Sequence, residues 1–290
     1  MTWRIVSINS VAKLDLRLNY LVVRGGEIKK IHLSEIAVLI IENTAVSLTA
    51  ALLCELNRRK IRVIFCDERR YPFGEIIPFY GSHDSTEKLR IQMKWDKTTK
   101  MKVWTEIVKE KITNQRNLLR KLGFQEEELL TSYLNDLQLF DSTNREGHAA
   151  KVYFNALFGK DFSRGEDTPT NACLNYGYSL FLSAVDREIV SSGYFTQLGI
   201  FHDNVFNPHN LGSDLMEPFR PLIDEVVVEM MPEELDTESK RTLLDVFNKE
   251  VIIDDRKNFV NNAVKIYCKS VLNAITENDT NLLKFCTYEI

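Results

Sequence analysis

The stretch Gly81-Ser82-His83-Asp84 separates two parts of the sequence that differ in character. Before it, apolar runs such as Ile36-Ala37-Val38-Leu39-Ile40-Ile41 alternate with turn residues, which is typical of β-strands. After it, as far as residue 146, helix-forming residues dominate and proline is absent. We therefore expect an α+β protein with a small β-rich N-terminal domain, residues 1–82, followed by a larger all-helical domain, residues 83–290.

The β-rich part predicts a hairpin and several further strands. Leu14, Leu16 and Leu18 alternate with polar residues, as in a half-buried strand. Gly25 and Gly26 separate two apolar runs, and a Gly-Gly pair in that position favours a tight hairpin turn. Further strands are expected over residues 28–33, 36–41, 61–65 and 73–79, with a helix over residues 46–59. In the second part we expect helices over residues 88–121, 125–139, 145–158, 172–191, 215–231, 237–249 and 256–276.

Composition excludes several classes of protein. The chain has 290 residues, of which 44% are hydrophobic and 27% charged, as in an ordinary globular protein. Its longest aliphatic run is much shorter than the ~20 residues that a membrane span needs, and no secretory signal is visible. The five cysteines form no CxxC pair, which favours reduced thiols. We expect a cytoplasmic protein that does not associate with membranes.

The net charge of −4 conceals a charge separation. Residues 88–121 carry 11 Lys/Arg against 3 Asp/Glu, and residues 224–255 carry 11 Asp/Glu against 3 Lys/Arg. A polyanion-binding face opposite an acidic face would account for this pattern, and so would two solvated helix faces. The basic residues between Arg58 and Arg62 form a second candidate cluster with the same two interpretations.

Motifs for nucleoside triphosphate binding, dinucleotide binding, serine hydrolysis and zinc proteolysis are absent from the sequence. Three other segments carry groups capable of chemistry. They are Asn144-Arg145-Glu146-Gly147-His148, Leu198-Gly199-Ile200-Phe201-His202 and Ser213-Asp214-Leu215-Met216-Glu217-Pro218-Phe219-Arg220-Pro221.

Each segment also has a purely local explanation. Thr143 and Glu146 match a helix capping box, in which the glutamate returns to the first turn. His202 lies in a loop-like stretch, where a histidine is commonly a surface residue. Asp214 and Glu217 are three residues apart at an expected helix start, where acids favour the macrodipole without any further role.

Taken together, the same residues indicate a divalent metal site. Two or three carboxylates suit Mg²⁺ and Mn²⁺, and an imidazole ligand favours Mn²⁺. A site with few protein ligands leaves positions open for phosphate oxygens, as phosphoryl transfer requires. Spacing alone does not decide between this interpretation and the local ones, because the segments are far apart in the chain.

Four motifs resemble those of the CRISPR-associated adaptation integrase family, in particular its type II members. A Glu-Gly pair opens a helix at Glu146-Gly147, and Asn-Ala-x-Leu-Asn-Tyr-Gly-Tyr is present over residues 171–178. The other two are Leu-Gly-Ile-x-His over residues 198–202 and Asp-Leu-x-Glu-Pro-Phe-Arg-Pro over residues 214–221. The resemblance covers the whole chain, although the N-terminal third matches by pattern more than by motif.

The resemblance implies that Glu146, His202 and Glu217 bind the catalytic Mg²⁺ or Mn²⁺, with Asp214 as a possible further ligand. Many family members have Asp where this chain has Glu217, so the metal preference could differ. His148 and His209 are interpreted as non-ligands. The implied reaction, which serves antiviral defence, inserts short duplex DNA into a CRISPR array: 3′-hydroxyls attack phosphodiesters at the repeat ends.

The resemblance also implies a homodimer, formed through the N-terminal domain, that joins the small second adaptation protein in a larger complex. The helical domain would then be catalytic and would bind metal and DNA. Two alternatives remain at this point: a metal-dependent nuclease that acts on branched DNA in repair, and a non-catalytic DNA-binding scaffold.

Overall fold

The structure is a computed structural model that describes residues 4–68, 70, 72–76 and 82–288. The chain forms two compact units, Met1–His83 and Asp84–Ile290. Gly81 of the expected linker, and residues 77–79 of the expected last strand, lie outside the described residues.

The described residues of the N-terminal unit form two four-stranded sheets and one α-helix. The first sheet has the order β1-β5-β7-β8 and the second the order β4-β3-β2-β6. The strands are β1 (Arg4–Ile8), β2 (Lys13–Arg17), β3 (Tyr20–Arg24), β4 (Ile28–His32), β5 (Ile36–Ile41), β6 (Ser47–Leu48), β7 (Arg62–Cys66) and β8 (Pro72–Glu75), and the helix is α1 (Ala50–Arg58).

The central position of β5 in the first sheet explains its burial. Every residue of β5 is buried, because β5 lies between β1 and β7 with parallel pairing on both sides. The Gly25-Gly26 turn joins β3 to β4 as expected. The alternation ends one residue early: Leu18 lies in the turn after β2, with φ +46° and 91% of its surface exposed.

The second unit consists mainly of helices, and the α+β class with a strand-rich first part is confirmed. The helices are α2 (Ser85–Gln92), α3 (Lys97–Lys121), α4 (Glu127–Asn135), α5 (Arg145–Phe158), α6 (Pro169–Ser191), α7 (Asn210–Met216), α8 (Arg220–Met230), α9 (Thr237–Asp245) and α10 (Val260–Glu277). None of the helices in the described part of the chain has the length and apolar character needed to cross a bilayer.

Three local features differ from the sequence-based expectation. The helix expected over residues 88–121 is divided, because the Asp96 side chain accepts the Thr99 N–H and starts α3 anew. A 3₁₀ turn, Glu217–Phe219, separates α7 from α8. The unit is also not entirely helical: β9 (Glu250–Ile253) and β10 (Arg256–Phe259) form an antiparallel hairpin where the start of a helix was expected.

Candidate active site

A buried lysine, Lys111, occupies the centre of the candidate site. It lies on the same side of α3 as Trp104 and Ile107, which are fully buried, because residues three or four apart share a helix face. Its Nζ atom is 2.5 Å from Oε1 of Glu146 and forms an ion pair with Oε2 of Glu217. Burial by itself would lower the pKa of Lys111, but the two carboxylates raise it above its ordinary value. Lys111 is therefore a cation held between two acids.

Glu146 reaches this position from the first turn of α5. The Asp141 carboxylate starts that helix by accepting the backbone N–H groups of Arg145 and Glu146, at 2.6 and 3.0 Å. The Thr143 hydroxyl has no hydrogen-bond partner among the described residues. The capping-box explanation of Glu146 is therefore wrong: Asp141 caps the helix, and the Glu146 side chain is free to pair with Lys111.

Glu217 is placed by the 3₁₀ turn between α7 and α8. The turn is fixed from two sides, since the carbonyl oxygen of Pro218 accepts hydrogen bonds from the Asn114 side-chain amide at 3.0 Å and from the Tyr288 hydroxyl at 2.8 Å. Only 3% of the Glu217 surface is exposed. A buried acid fixed in this way is not explained by a favourable helix macrodipole.

The charge of Glu217 is balanced by two cations. Its Oε1 atom is 3.1 Å from a guanidinium nitrogen of Arg220, and Lys111 pairs with Oε2. Burial opposes ionisation, but Arg220 and Lys111 together hold the pKa of Glu217 below its ordinary value. Glu217 is therefore an anion at neutral pH.

Asp214 organises the loop that carries His202. Its carboxylate is fully buried and accepts the backbone N–H groups of Ile200, Phe201 and His202, at 2.5, 3.1 and 3.1 Å. Nδ1 of His202 lies 2.6 Å from Oδ1 of Asp214. A Cβ atom on Gly199 would collide with the His202 carbonyl oxygen, so this loop can close around Asp214 only with glycine there.

The Asp214 contacts fix which nitrogen of His202 can bind a ligand. A carboxylate has about four acceptor positions. The three backbone N–H groups and the His202 ring use all four positions of Asp214, so the role of Asp214 is to orient His202. The hydrogen bond to Asp214 raises the pKa of His202, partly offset by burial. Because Nδ1 donates to Asp214, the lone pair of the neutral ring lies on Nε2.

Aromatic packing connects the His202 loop to α3. The Phe201 ring stacks on Trp104 with centroids 4.5 Å apart and planes 2° from parallel. The His202 ring meets Trp104 edge-on at 6.0 Å. The imidazole, 39% exposed, is therefore anchored on both sides and is not a free surface histidine.

The structure brings Glu146, Glu217 and His202 to the same region, and both glutamates contribute to raising the pKa of His202. However, no group of three or more His, Cys, Asp or Glu side chains in the described ranges is close enough to hold a metal ion. The Lys111 ammonium lies between the two glutamates.

The donor set nevertheless fits a hard divalent ion. Two carboxylates and one imidazole nitrogen are ligands that Mg²⁺ and Mn²⁺ accept in proteins. Oε2 of Glu217 is buried, and its partner among the described residues is the Lys111 ammonium. A divalent ion would suit the same oxygen, because a buried carboxylate oxygen needs a cation or a donor beside it.

A layer of buried hydroxyls lies behind Glu217. The Asp224 carboxylate accepts hydrogen bonds from Tyr153, at 2.8 Å, and from Tyr178. The guanidinium of Arg220 lies over the Tyr178 ring, 4.8 Å from its centroid. Burial raises the pKa of Asp224 to about 6, although both phenol hydrogen bonds act in the opposite direction. This layer supports Arg220, which in turn pairs with Glu217.

Comparisons with known proteins point to one family. Residues 7–242 match the family described as CRISPR associated protein Cas1. The chain belongs to the Cas1 family. A Cas1 relative, the CRISPR-associated endonuclease Cas1 of Neisseria meningitidis serogroup C (strain 8013), is 32% identical over 291 residues, covering 98% of this chain and 96% of the relative.

Two solved structures resemble the fold of this Cas1 chain. A casposase bound to an integration product gives a TM-score of 0.77 at 18% identity, covering 97% of this chain and 92% of that one. A Cas6-RT-Cas1–Cas2 complex gives a TM-score of 0.73 at 20% identity, covering 97% of this chain but only 36% of the other. The whole described Cas1 chain, including the strand-rich unit, therefore has a known architecture.

Several residues of the candidate site have little signal in the sequence. Lys111 belongs to a basic segment, although its position within the apolar stripe of α3 distinguishes it from the other lysines. The ion pair between Arg220 and Glu217 has no signal in the sequence beyond the motif over residues 214–221, and the tyrosine hydrogen bonds to Asp224 have none. Of the two histidines interpreted as non-ligands, His148 is exposed and His209 pairs with Asp186, at 2.6 Å.

Proposed function

We propose that this Cas1 chain inserts short duplex DNA into a CRISPR array, with 3′-hydroxyls of the duplex attacking phosphodiesters at the repeat ends. The observation that carries the proposal is that Glu146 and Glu217 both pair with the buried Lys111 ammonium, while both glutamates also help to raise the pKa of the nearby His202. Membership of a family whose relative is named an endonuclease supports it, as does the likeness to a casposase bound to an integration product.

The proposed ligands of Mg²⁺ or Mn²⁺ are the carboxylates of Glu146 and Glu217 and the Nε2 atom of His202. A divalent ion bound there would stabilise the charge that develops on the phosphodiester oxygens during strand transfer. The protein contributes positioning: Asp214 orients His202, and the hydrogen bonds to Pro218 hold the turn that carries Glu217. Asp214 is thus proposed as a positioning residue and not as a ligand.

The first part of the basic segment is the proposed DNA-binding face. Four basic residues of the segment are less suited to bind DNA. Lys109, Arg120 and Lys121 pair with acidic side chains, and Lys111 is buried. The exposed basic residues without a pairing described in the structure are Arg90, Lys94, Lys97 and Lys102. Trp104 belongs to the core and Trp95 packs on Tyr194, so neither tryptophan is assigned to DNA.

We also propose an assembly for the reaction. A homodimer formed through the strand-rich unit would place two sites on one DNA, and a small second adaptation protein would join two such dimers. The likeness to a Cas6-RT-Cas1–Cas2 complex supports a Cas2-type partner. The same unit contributes exposed apolar side chains at Leu18 and Ile28, which suit burial against a second copy.

The deciding experiment is a strand-transfer assay. The purified chain would be incubated with its Cas2-type partner, Mn²⁺, a labelled duplex with 3′-hydroxyls and a supercoiled plasmid that carries an array. Covalent joining of the label to the array is the expected result, with Glu146→Gln as the inactive control. Cleavage of branched DNA without any joining would instead identify a repair nuclease, and DNA binding without either reaction would identify a scaffold.

A further inference from the structure

Lys111 contrasts with the other lysines of α3. Lys109, two residues earlier on the same helix, is a surface residue whose side chain is 57% exposed and lies 3.6 Å from Glu106. The Lys111 side chain is 7% exposed, and its contacts are with the carboxylates of Glu146 and Glu217. Ordering and burying a lysine in this way is costly, so the position of its charge needs an explanation.

The charge balance of the site supplies that explanation. Glu217 is buried and Glu146 is partly buried, and both face the same ammonium group. Without Lys111, Glu146 would have no ammonium partner and Glu217 would keep only Arg220, so two carboxylates would face each other with too little compensating charge, which opposes folding. A divalent ion would pair with the same two carboxylates, so the ammonium and the metal would compete for one position.

We propose that Lys111 is a built-in counter-ion that occupies the metal position in the metal-free protein and is displaced when a divalent ion binds. This inference rests on the proposed function, because it takes Glu146 and Glu217 as ligands of that ion. Lys111 holds the two carboxylates in place before loading, and the consequence is a weaker affinity for the metal. The role is that of a positioning residue.

The test compares Mn²⁺ binding, by calorimetry without DNA, in the wild type, Lys111→Met and the matched surface control Lys109→Met. Methionine keeps the length and apolar character of the lysine stem but removes its charge. We expect Lys111→Met to bind Mn²⁺ at least about tenfold more tightly than the wild type, since one competing positive charge is gone. Lys109→Met should bind like the wild type.

Thermal melting provides a second measurement. Without metal, Lys111→Met should melt at a lower temperature than the wild type, because Glu146 loses its ammonium partner and Glu217 keeps only Arg220. Saturating Mn²⁺ should restore much of that loss, so the metal-induced rise in melting temperature should be larger in Lys111→Met than in either other protein. Calorimetry is carried out below the melting temperatures of all three proteins, so the comparison of Mn²⁺ affinities stays valid if Lys111→Met is less stable.

The outcomes separate this inference from the proposed metal site. Equal or weaker Mn²⁺ binding by Lys111→Met, with binding still lost in Glu146→Gln, would overturn the displacement of Lys111 and leave the metal site intact. Mn²⁺ binding that survives in Glu146→Gln and Glu217→Gln alike would instead overturn the metal site itself.

Discussion

The Nδ1 atom of His202 lies 2.6 Å from Oδ1 of Asp214, an acid whose side chain has no exposed surface. The same carboxylate also accepts three consecutive backbone N–H groups of the histidine loop. Asp214 therefore sets the position, the ring orientation and the protonation of the proposed ligand at once.

Replacement of that acid should affect the pH profile as well as the rate. Asp214→Asn should lower strand transfer by about 10- to 100-fold, as is common when the partner of a metal-binding histidine is changed. Since Asp214 raises the pKa of His202, and only the neutral imidazole binds metal, the wild type should lose activity as pH falls through that raised value. The acidic limb of Asp214→Asn should move to lower pH. NMR titration of His202 in metal-free protein checks this, and an unchanged pKa would contradict it.

Removal of one proposed ligand should abolish catalysis and leave the fold intact. Glu146→Gln keeps the size of the side chain but weakens an anionic ligand, so strand transfer with Mn²⁺ should fall by several orders of magnitude. Glu217→Gln and His202→Ala should behave alike, and the losses should not add, because the three act as one unit. A melt run beside the assay should show a folded protein, and integration by Glu146→Gln at nearly the wild-type rate would disprove the assignment.

DNA binding should depend steeply on salt despite the net charge of −4. Each phosphate contact changes the slope of log K against log salt by about −0.9. The double variant Lys94→Ala, Lys97→Ala should therefore have a shallower slope than the wild type, whereas Lys109→Ala, which removes a paired lysine, should not. Fluorescence titrations of the assembled complex between ~50 and ~200 mM salt measure this. A flat response in the wild type would count against the proposed face.

The strand-rich unit should hold two copies together. Ile28, in the edge strand β4, has 62% of its surface exposed, and an exposed apolar edge favours pairing. We expect a dimer by light scattering at micromolar concentration, and Ile28→Lys should increase the monomer fraction. Leu129→Lys, which changes an exposed leucine of the helical unit, is the control. A wild-type monomer under these conditions would refute the dimer.

Asp224, the buried acid behind Glu217, should make the free energy of unfolding depend on pH. Burial raises the pKa of Asp224 to about 6 in the folded chain, above its ordinary value of 3.8, so the folded state takes up a proton more readily than the unfolded state. This contribution favours folding below about pH 4 and is lost as pH rises through about 6. Asp224→Asn should remove that component, and denaturant melts from pH 4 to 7 should show the wild type losing stability relative to the variant. Parallel curves for the two proteins would contradict the raised pKa.

Sequence patterns could predict the elements because those depend on local chemistry. The alternation around Leu14, the Gly25-Gly26 turn and the fully apolar β5 indicated strands that the structure confirms. Sequence patterns did not predict where some helices begin, because single residues decide those boundaries. Asp96 restarts a helix. The β9–β10 hairpin did have a local signal, because the β-branched run Val251–Ile253 precedes Asp254 and Asp255, which both have positive φ, but the helix expected from residue 256 left it out.

The site was predictable only in part, for the same reason. The motifs selected Glu146, His202 and Glu217, but they could not show that Asp214 faces the histidine loop or that Asp141 caps α5. Lys111 is 35 residues from Glu146 in the chain, and their contact exists only after α3 packs against α5. Such distant pairings have no periodic signature in one sequence.

The hydrogen bond from Tyr288 to Pro218 has a consequence for the order of events during synthesis. Pro218 adjoins Glu217, and its carbonyl oxygen is held jointly by Asn114 and Tyr288. These two partners are 174 residues apart in the chain, so the support is incomplete until the later one has emerged from the ribosome and folded back. A partly translated chain therefore lacks one of the two hydrogen bonds that hold the turn carrying Glu217.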